Sequence, residues 1–349
     1  MGEERKRSPL PSQRRGKRHW PASVGLALVS RGKHVMIRDT MNVRMIRRRC
    51  FRVAVSPLLM LCLWLPGYPT LAQTADAFLA GHTKACPDCA LERAPLKRRD
   101  LSEADLSGAN LVGAVLHRAR LMRAKFTNAN LTDANLNKTD LKNATLARAM
   151  LERAMLYEAD LSAADLSGAN LTEAKMQKAR LVRAKLDGAQ MPEAILTGAR
   201  LDDASLRGAN LSAANLVEAT LRRANLEGAN LNNAGLVDAA LREANLKGAN
   251  LSEADLFGAD LSGANLAGAN LRDADLNRSL MAFANLKGAD LRGANFFRVK
   301  LSGADLTGAD ITGADFTEAD LDGTVLRGVK GLDAAKGMEK AMNRDRAVQ

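Results

Sequence analysis

From Leu91 to Leu326 every fifth residue is apolar, and the phase never slips across 48 consecutive steps. Leucine fills 41 of these positions; Phe126, Met176, Met191, Met281, Phe296, Ile311 and Phe316 fill the others. Two residues ahead of each stands a second, small residue, alanine in 42 of the 48 steps. The three remaining positions carry Asn, Asp, Ser, Thr, Glu, Lys, Arg and Gly, the residues of turns and surfaces. A period of five fits neither common element. On an α-helix it advances a side chain by about 140° per step, so the leucines wind around the rod and form no stripe. On a flat strand an odd period sends successive leucines to opposite faces. A chain that turns a corner in every repeat removes the conflict, because leucine and alanine then face inward and the other three residues face out. Corners at such regular spacing close into a coil that stacks on itself as a prism filled by Leu and Ala.

Units such as Ala104-Asp105-Leu106-Ser107-Gly108 and Ala249-Asn250-Leu251-Ser252-Glu253 closely resemble the pentapeptide-repeat family, whose consensus is Ala-(Asp or Asn)-Leu-x-x. The resemblance covers about two thirds of the chain. It implies an all-β fold, a right-handed quadrilateral β-helix with short capping segments; the period alone leaves three sides open. About 12 coils at a strand spacing of about 4.8 Å make a rod on the order of 55–60 Å long. Each buried leucine contributes roughly 1.5–3 kcal/mol, and all contacts join neighbouring coils. At the inner small position Thr139, Ser279, Val299 and Thr324 are mild departures. Arg99, in the first coil, is the serious one. Its side chain is long enough to reach past the open end, which predicts an irregular first coil.

The pattern divides the chain into an extension at 1–44, a secretory signal at 45–72, an N-terminal cap at 73–90, the coil body at 91–330 and a C-terminal cap at 331–349. The formal charge of +12 suggests an anionic partner until its position is considered. Residues 1–72 hold 15 Lys+Arg and 3 Asp+Glu, whereas residues 73–349 hold 36 of each. The excess belongs to the leader. A basic stretch from Met45 to Arg52, an apolar run from Val53 to Leu65 and small residues at Thr70-Leu71-Ala72 form a signal pattern, with cleavage expected after Ala72 and a second site at Ala75-Asp76-Ala77. The run is short for a membrane span and contains Pro57. Two readings of residues 1–44 stand: translation starting at Met45 or Met41, or a genuine extension such as a two-part plastid transit peptide. The expected compartment is the bacterial periplasm, with the thylakoid lumen as the alternative. At the far end Gly331 breaks the phase, and residues 332–342 read as a short amphipathic helix closing the core, followed by a frayed tail.

Past the signal only Cys86 and Cys89 remain, the first at a leucine position and the second at an inner small position. Three readings are open: a disulfide pinning the first corner, plain packing, or metal and redox work. For zinc, His82, Cys86 and Cys89 supply three ligands where four are wanted. With His82 and His117 the only histidines beyond the leader, neither catalysis nor a cofactor is expected. Trp20 and Trp64 both lie in the leader, so stacking platforms for nucleic acid are absent from the coil body.

A 20-residue coil brings Val217, Val237, Phe257, Asn277 and Phe297 into one column, with Phe283 at its margin. Single exposed apolar residues are ordinary; the sharper reading is a contact with a protein partner or a second copy. Charge is uneven along the axis, with 18 basic and 13 acidic residues in 91–200 and 13 and 18 in 201–330. Arg118, Arg120, Arg123 and Lys125 share a register with Lys178, Arg180, Arg183 and Lys185, either a solvated surface or a salt-dependent patch for an anionic lipid or polysaccharide. The expected function is an exported, non-enzymatic scaffold or interaction module with an unidentified partner and no nucleic acid. Within the resembling family the rival is DNA mimicry toward a topoisomerase, which a near-neutral coil body and a signal peptide disfavour.

Overall fold

The computed structural model describes residues 71–349, and side chains from Ala75 onward. The extension at 1–44 and nearly all of the signal at 45–72 lie outside the described residues. From Ala85 onward the chain winds in coils of 20 residues, each joined to the next by single parallel β-bridges such as Ala85–Asp105, Asp105–Lys125 and Asn250–Asn270. Four repeats therefore close one coil. We number the sides by their leucines: side one holds Leu101 and Leu121, side two Leu106 and Phe126, side three Leu111 and Leu131, side four Leu116 and Leu136. Each repeat supplies one side and the corner that follows it.

One repeat shows why the sequence folds this way. The Leu106 N–H donates to the Lys125 carbonyl (2.8 Å) and the Gly108 N–H to the Thr127 carbonyl (2.9 Å), both in the next coil. The Ala109 N–H closes the corner on the Leu106 carbonyl (3.1 Å), and the Asn110 N–H reaches back to the Cys89 carbonyl (2.8 Å). The fifth N–H, that of Ser107, is taken by the Asp105 carboxylate (3.2 Å). All five donors are satisfied, as a buried-walled coil requires. The third residue of each corner has positive φ, the demand of a tight turn, whether it is Gly108 or Glu103. Inside, leucines and alanines are sealed from water throughout the body. Phe296 and Phe316 stack in successive coils with ring centroids 4.8 Å apart. Thr139 and Thr324, at inner small positions, donate their hydroxyls to the Leu136 and Leu301 carbonyls.

The ends are built differently. Helix α1 (Leu71–Leu79) sits at the start of the coil. It ends in a Schellman turn in which the His82 N–H bonds the Ala77 carbonyl, the Gly81 N–H bonds the Phe78 carbonyl, and Gly81 takes φ +80°. Phe78 and Ala75 are buried in the same apolar core as the coils.

The C-terminus corrects the sequence reading: no helix spans 332–342, and 343–349 is no loose tail. The chain makes one more coil with longer sides. Bridges run Asp310–Lys330, Asp315–Lys336, Asp320–Met342 and Val325–Val348, so each side gains one residue. Short 3-10 turns at Leu332–Ala334 and Arg344–Arg346 absorb the extra length. A residue with positive φ follows each of the first three of these bridges: Gly331, Gly337 and Asn343. A Cβ on Gly331 would fall 2.6 Å from the Thr312 Cα, and one on Gly337 2.6 Å from the Thr317 N, so only glycine lets this coil close onto its neighbour. Leu332, Ala335 and Met338 have helical spacing, but Gly337, left-handed between the last two, interrupts any helix there.

Candidate functional site

The predicted apolar column exists in part. Val217, Val237, Phe257 and Phe297 stack at the corner ending side four, each half-buried, with Asn277 interrupting them. Arginines of the same corner lie against the rings: the Arg278 guanidinium is 5.8 Å from the Phe257 centroid and that of Arg298 is 4.8 Å from Phe297. Phe283 is not at the margin. It stands on the next corner, at the end of side one, because a five-residue step carries it past the turn. Its ring lies close over Gly303 of the following coil and is 76 % exposed. Sequence reasoning missed that side four is also apolar in its first half. Val115, Met155 and Ile195 occupy its middle column and Tyr157 its corner. Residues 115, 155 and 195 sit at multiples of 20, and that spacing was the available signal.

The two basic clusters do not form flat patches. Arg118 and Lys178 lie on the corner ending side four, Arg120, Arg123, Arg180 and Arg183 on side one, and Lys125 and Lys185 on side two. In the first cluster three cations meet acids of the preceding coil: Arg120 with Asp100 (3.9 Å), Arg123 with Glu103 (2.6 Å) and Lys125 with Asp105 (3.6 Å). In the second, among the described residues, only Arg180 has such a partner, Asp160 (3.4 Å). A shallow basin of about 310 Å³ opens there on side one, lined by Lys142, Arg180, Arg183, Asn143, Ser162, Ala163 and Val182. Its floor is low because Ser162 and Ala163 fall between longer neighbours. Lys142 bridges Asp140 (3.5 Å) and Asp160 (3.4 Å), so two of the three cations are partly neutralised. Burial pushes the Asp160 carboxyl up, but the Ser162 hydroxyl and N–H, with Lys142 and Arg180, outweigh it and hold it below the usual carboxylate range.

Cys86 and Cys89 are joined by a disulfide across the first corner, both fully buried. His82 is exposed beside them. Desolvation, then the Arg118 and Lys97 cations, hold His117 below the ordinary histidine range. Among the described residues no group of three or more His, Cys, Asp or Glu is arranged to hold a metal ion. No helix among them is long and apolar enough to cross a membrane. Arg99 reaches past the coil end as its length suggested, but the first coil is not irregular: Ala85, Ala90, Pro95 and Asp100 pair in register with the next coil, and the long side chain latches the cap instead. Its guanidinium donates to the Leu79 carbonyl (2.9 Å) and the Phe78 carbonyl (3.1 Å) at the end of α1, and lies 5.7 Å from the Phe78 ring centroid.

A coil of 20-residue turns with leucine and alanine inside and columns of polar residues outside defines a repeat solenoid. The family described as pentapeptide repeats (eight copies) matches over seven stretches, residues 100–137, 124–162, 164–203, 199–236, 234–273, 259–296 and 289–328, and the chain belongs to the pentapeptide-repeat family. The fold of this family is a right-handed β-helix, and its members are generally non-catalytic scaffolds. Among solved structures the chain is similar to HetL, a pentapeptide-repeat protein involved in heterocyst differentiation regulation from the cyanobacterium Nostoc sp. strain PCC 7120 (34% identity, 61% of this chain, 86% of HetL, TM-score 0.31). It is also similar to full-length QnrB1, a plasmid-mediated fluoroquinolone resistance protein (20% identity, 53% of this chain, 90% of QnrB1, TM-score 0.30). A third is a pentapeptide-repeat protein of the Arabidopsis thaliana thylakoid lumen (38% identity, 27% of this chain, 63% of that one, TM-score 0.19). No curated protein matches the chain.

Proposed function

We propose that this chain is an exported, non-enzymatic scaffold that holds a protein partner along side four and its corner, without a cofactor. One observation carries the reading: Val217, Val237, Phe257 and Phe297 form a half-exposed apolar column on a surface whose other columns are mostly polar. Aromatic rings flanked by arginine are the composition of interface hot spots. Export is supported by the leader pattern and by the cap. Cleavage after Ala72 keeps Ala75 and Phe78, which close the core, whereas cleavage after Ala77 would remove Ala75 and most of α1. The periplasm is the compartment this leader suits, with the thylakoid lumen the alternative. Cell fractionation with N-terminal sequencing tests it: a mature protein starting at Gln73 in the exported fraction is expected, and an uncleaved cytosolic protein refutes the reading. In pull-downs from that fraction, Phe257→Asp combined with Phe297→Asp should lose the partner.

A second reading rests on the basin between Lys142, Arg180 and Arg183, which suits an anionic lipid headgroup or polysaccharide. Binding to anionic vesicles or a sulfated polysaccharide should weaken with salt and with Arg183→Glu; salt-independent binding argues against it. DNA mimicry has less support, since 36 cations balance 36 carboxylates in residues 73–349.

A further inference from the structure

The axial charge asymmetry of the coil body is concentrated on one side. Residues 91–200 carry a net charge of +5, and side four with its corner accounts for all of it: Lys97, Arg98, Arg118, Lys138, Lys175 and Lys178 against Glu158 alone. Residues 201–330 carry −5, and the same side accounts for −4, with six carboxylates against Arg278 and Arg298. The other three sides mix both signs within each half. Side four is also the side with apolar residues along its length, from Val115 through Met155, Ile195 and Val217 to Phe297. One surface thus carries apolar residues along its length, in the middle column of its basic half and the corner column of its acidic half.

A surface of this kind complements itself when inverted. We propose that a second copy of this chain occupies side four, packed antiparallel about a two-fold axis at the level of Val217. This rests on the interaction-scaffold reading and names the partner. Antiparallel packing sets each basic half against an acidic half, whereas parallel packing stacks like charges over the whole length. With the axis at Val217, coils equally far above and below it face each other in the same column. Lys175 then stands opposite Asp255, Glu158 opposite Arg278 and Arg118 opposite Glu318, while Val217 meets its own copy. Two like-charge pairings arise along these columns: Glu218 meets its own copy beside the axis, and Lys138 meets Arg298. Each of those cations already has a carboxylate on its own chain, Glu158 (3.2 Å) and Glu318 (2.6 Å). Lys175 and Asp255 are both exposed, and neither takes part in an ion pair among the described residues.

Sedimentation equilibrium of the full chain, over concentration and NaCl, tests the proposal. A dimer whose dissociation constant rises with salt is expected. Lys175→Asp alone and Asp255→Lys alone should each raise that constant roughly tenfold or more, because each contact occurs twice per dimer. The double variant should return to within about threefold of the parent, a rescue that only opposed halves permit. Val217→Asp should give a monomer. A full chain that is monomeric at every concentration overturns the dimer, as does a dimer indifferent to all these substitutions. A dimer that both single reversals weaken and the double variant fails to restore overturns the antiparallel register. None of these results touches the export test, so the scaffold reading stands or falls separately.

Discussion

The residue ahead of each leucine does two jobs, which explains why it is so often Asn or Asp. The Asn250 Oδ1 accepts the Ser252 N–H (3.2 Å) and hydroxyl (2.8 Å), closing the turn that follows. The same atom accepts the Asn270 Nδ2 (2.9 Å), while the Asn250 Nδ2 donates to the Asn230 Oδ1 (3.0 Å). An asparagine ladder thus runs along side three from Asn210 to Asn270, and a second along side two from Asn225 to Asn285. Aspartate can cap the turn but cannot donate to the next rung. A contrasting case is Ser279, at an inner small position with a buried hydroxyl that no group among the described residues satisfies. Ser279→Ala removes that cost and should stabilise the protein by about 1 kcal/mol in denaturant unfolding. Equal or lower stability would show that the hydroxyl has found a partner.

At the scale of elements, the two ends of the coil solve one problem by different means. An open coil end exposes apolar core and unpaired backbone. At the start, α1 covers the core with Phe78, and Arg99 ties the helix down through two charge-assisted hydrogen bonds. Arg99→Ala should therefore loosen the cap by roughly 2–4 kcal/mol, from two bonds of about 1.5–3 kcal/mol each less partial rehydration. Because a solenoid's energy is nearly one-dimensional, the loss should stay local. Amide hydrogen exchange would register it as lost protection in α1 with unchanged protection between Leu206 and Leu246. A uniform loss would mean that the cap carries the whole fold. At the other end the chain lengthens its sides instead, and Val329, Ala335, Ala341 and Ala347 keep packing inward.

Across the whole molecule, stacking by 20 residues turns sequence columns into ion-pair columns. Arg153 meets Asp133, Arg223 meets Asp203 and Arg298 meets Glu318, each one coil apart. These pairs are largely exposed, so each contributes little. Their number nevertheless sets a direction with pH. Arg153 holds Asp133 below the usual carboxylate range, Arg223 does so for Asp203, and the Thr312 hydroxyl does so for Asp310. A carboxyl depressed on folding contributes stability above its unfolded pKa, near 4, and loses it as pH falls through its folded value. The thermal midpoint should therefore hold steady from about pH 8 to 5 and drop below about pH 4. A midpoint that stays level to about pH 2 would show that these carboxylates do not matter.

The period of five, unbroken from Leu91 to Leu326, determined by itself that leucine and alanine fill a coil and that polar residues face out. No other backbone path keeps an odd period on one inner face. Four sides instead of three is a closure condition on the whole turn, and only the bridges from each residue to its partner 20 positions on decide it. The same holds for what closure creates. Phe283 falls on a different corner from Phe257, Arg99 meets the end of α1, and residues 331–349 form a coil instead of a helix. Periodicity is a local property of the chain, whereas neighbours across coils exist only once the turn has closed.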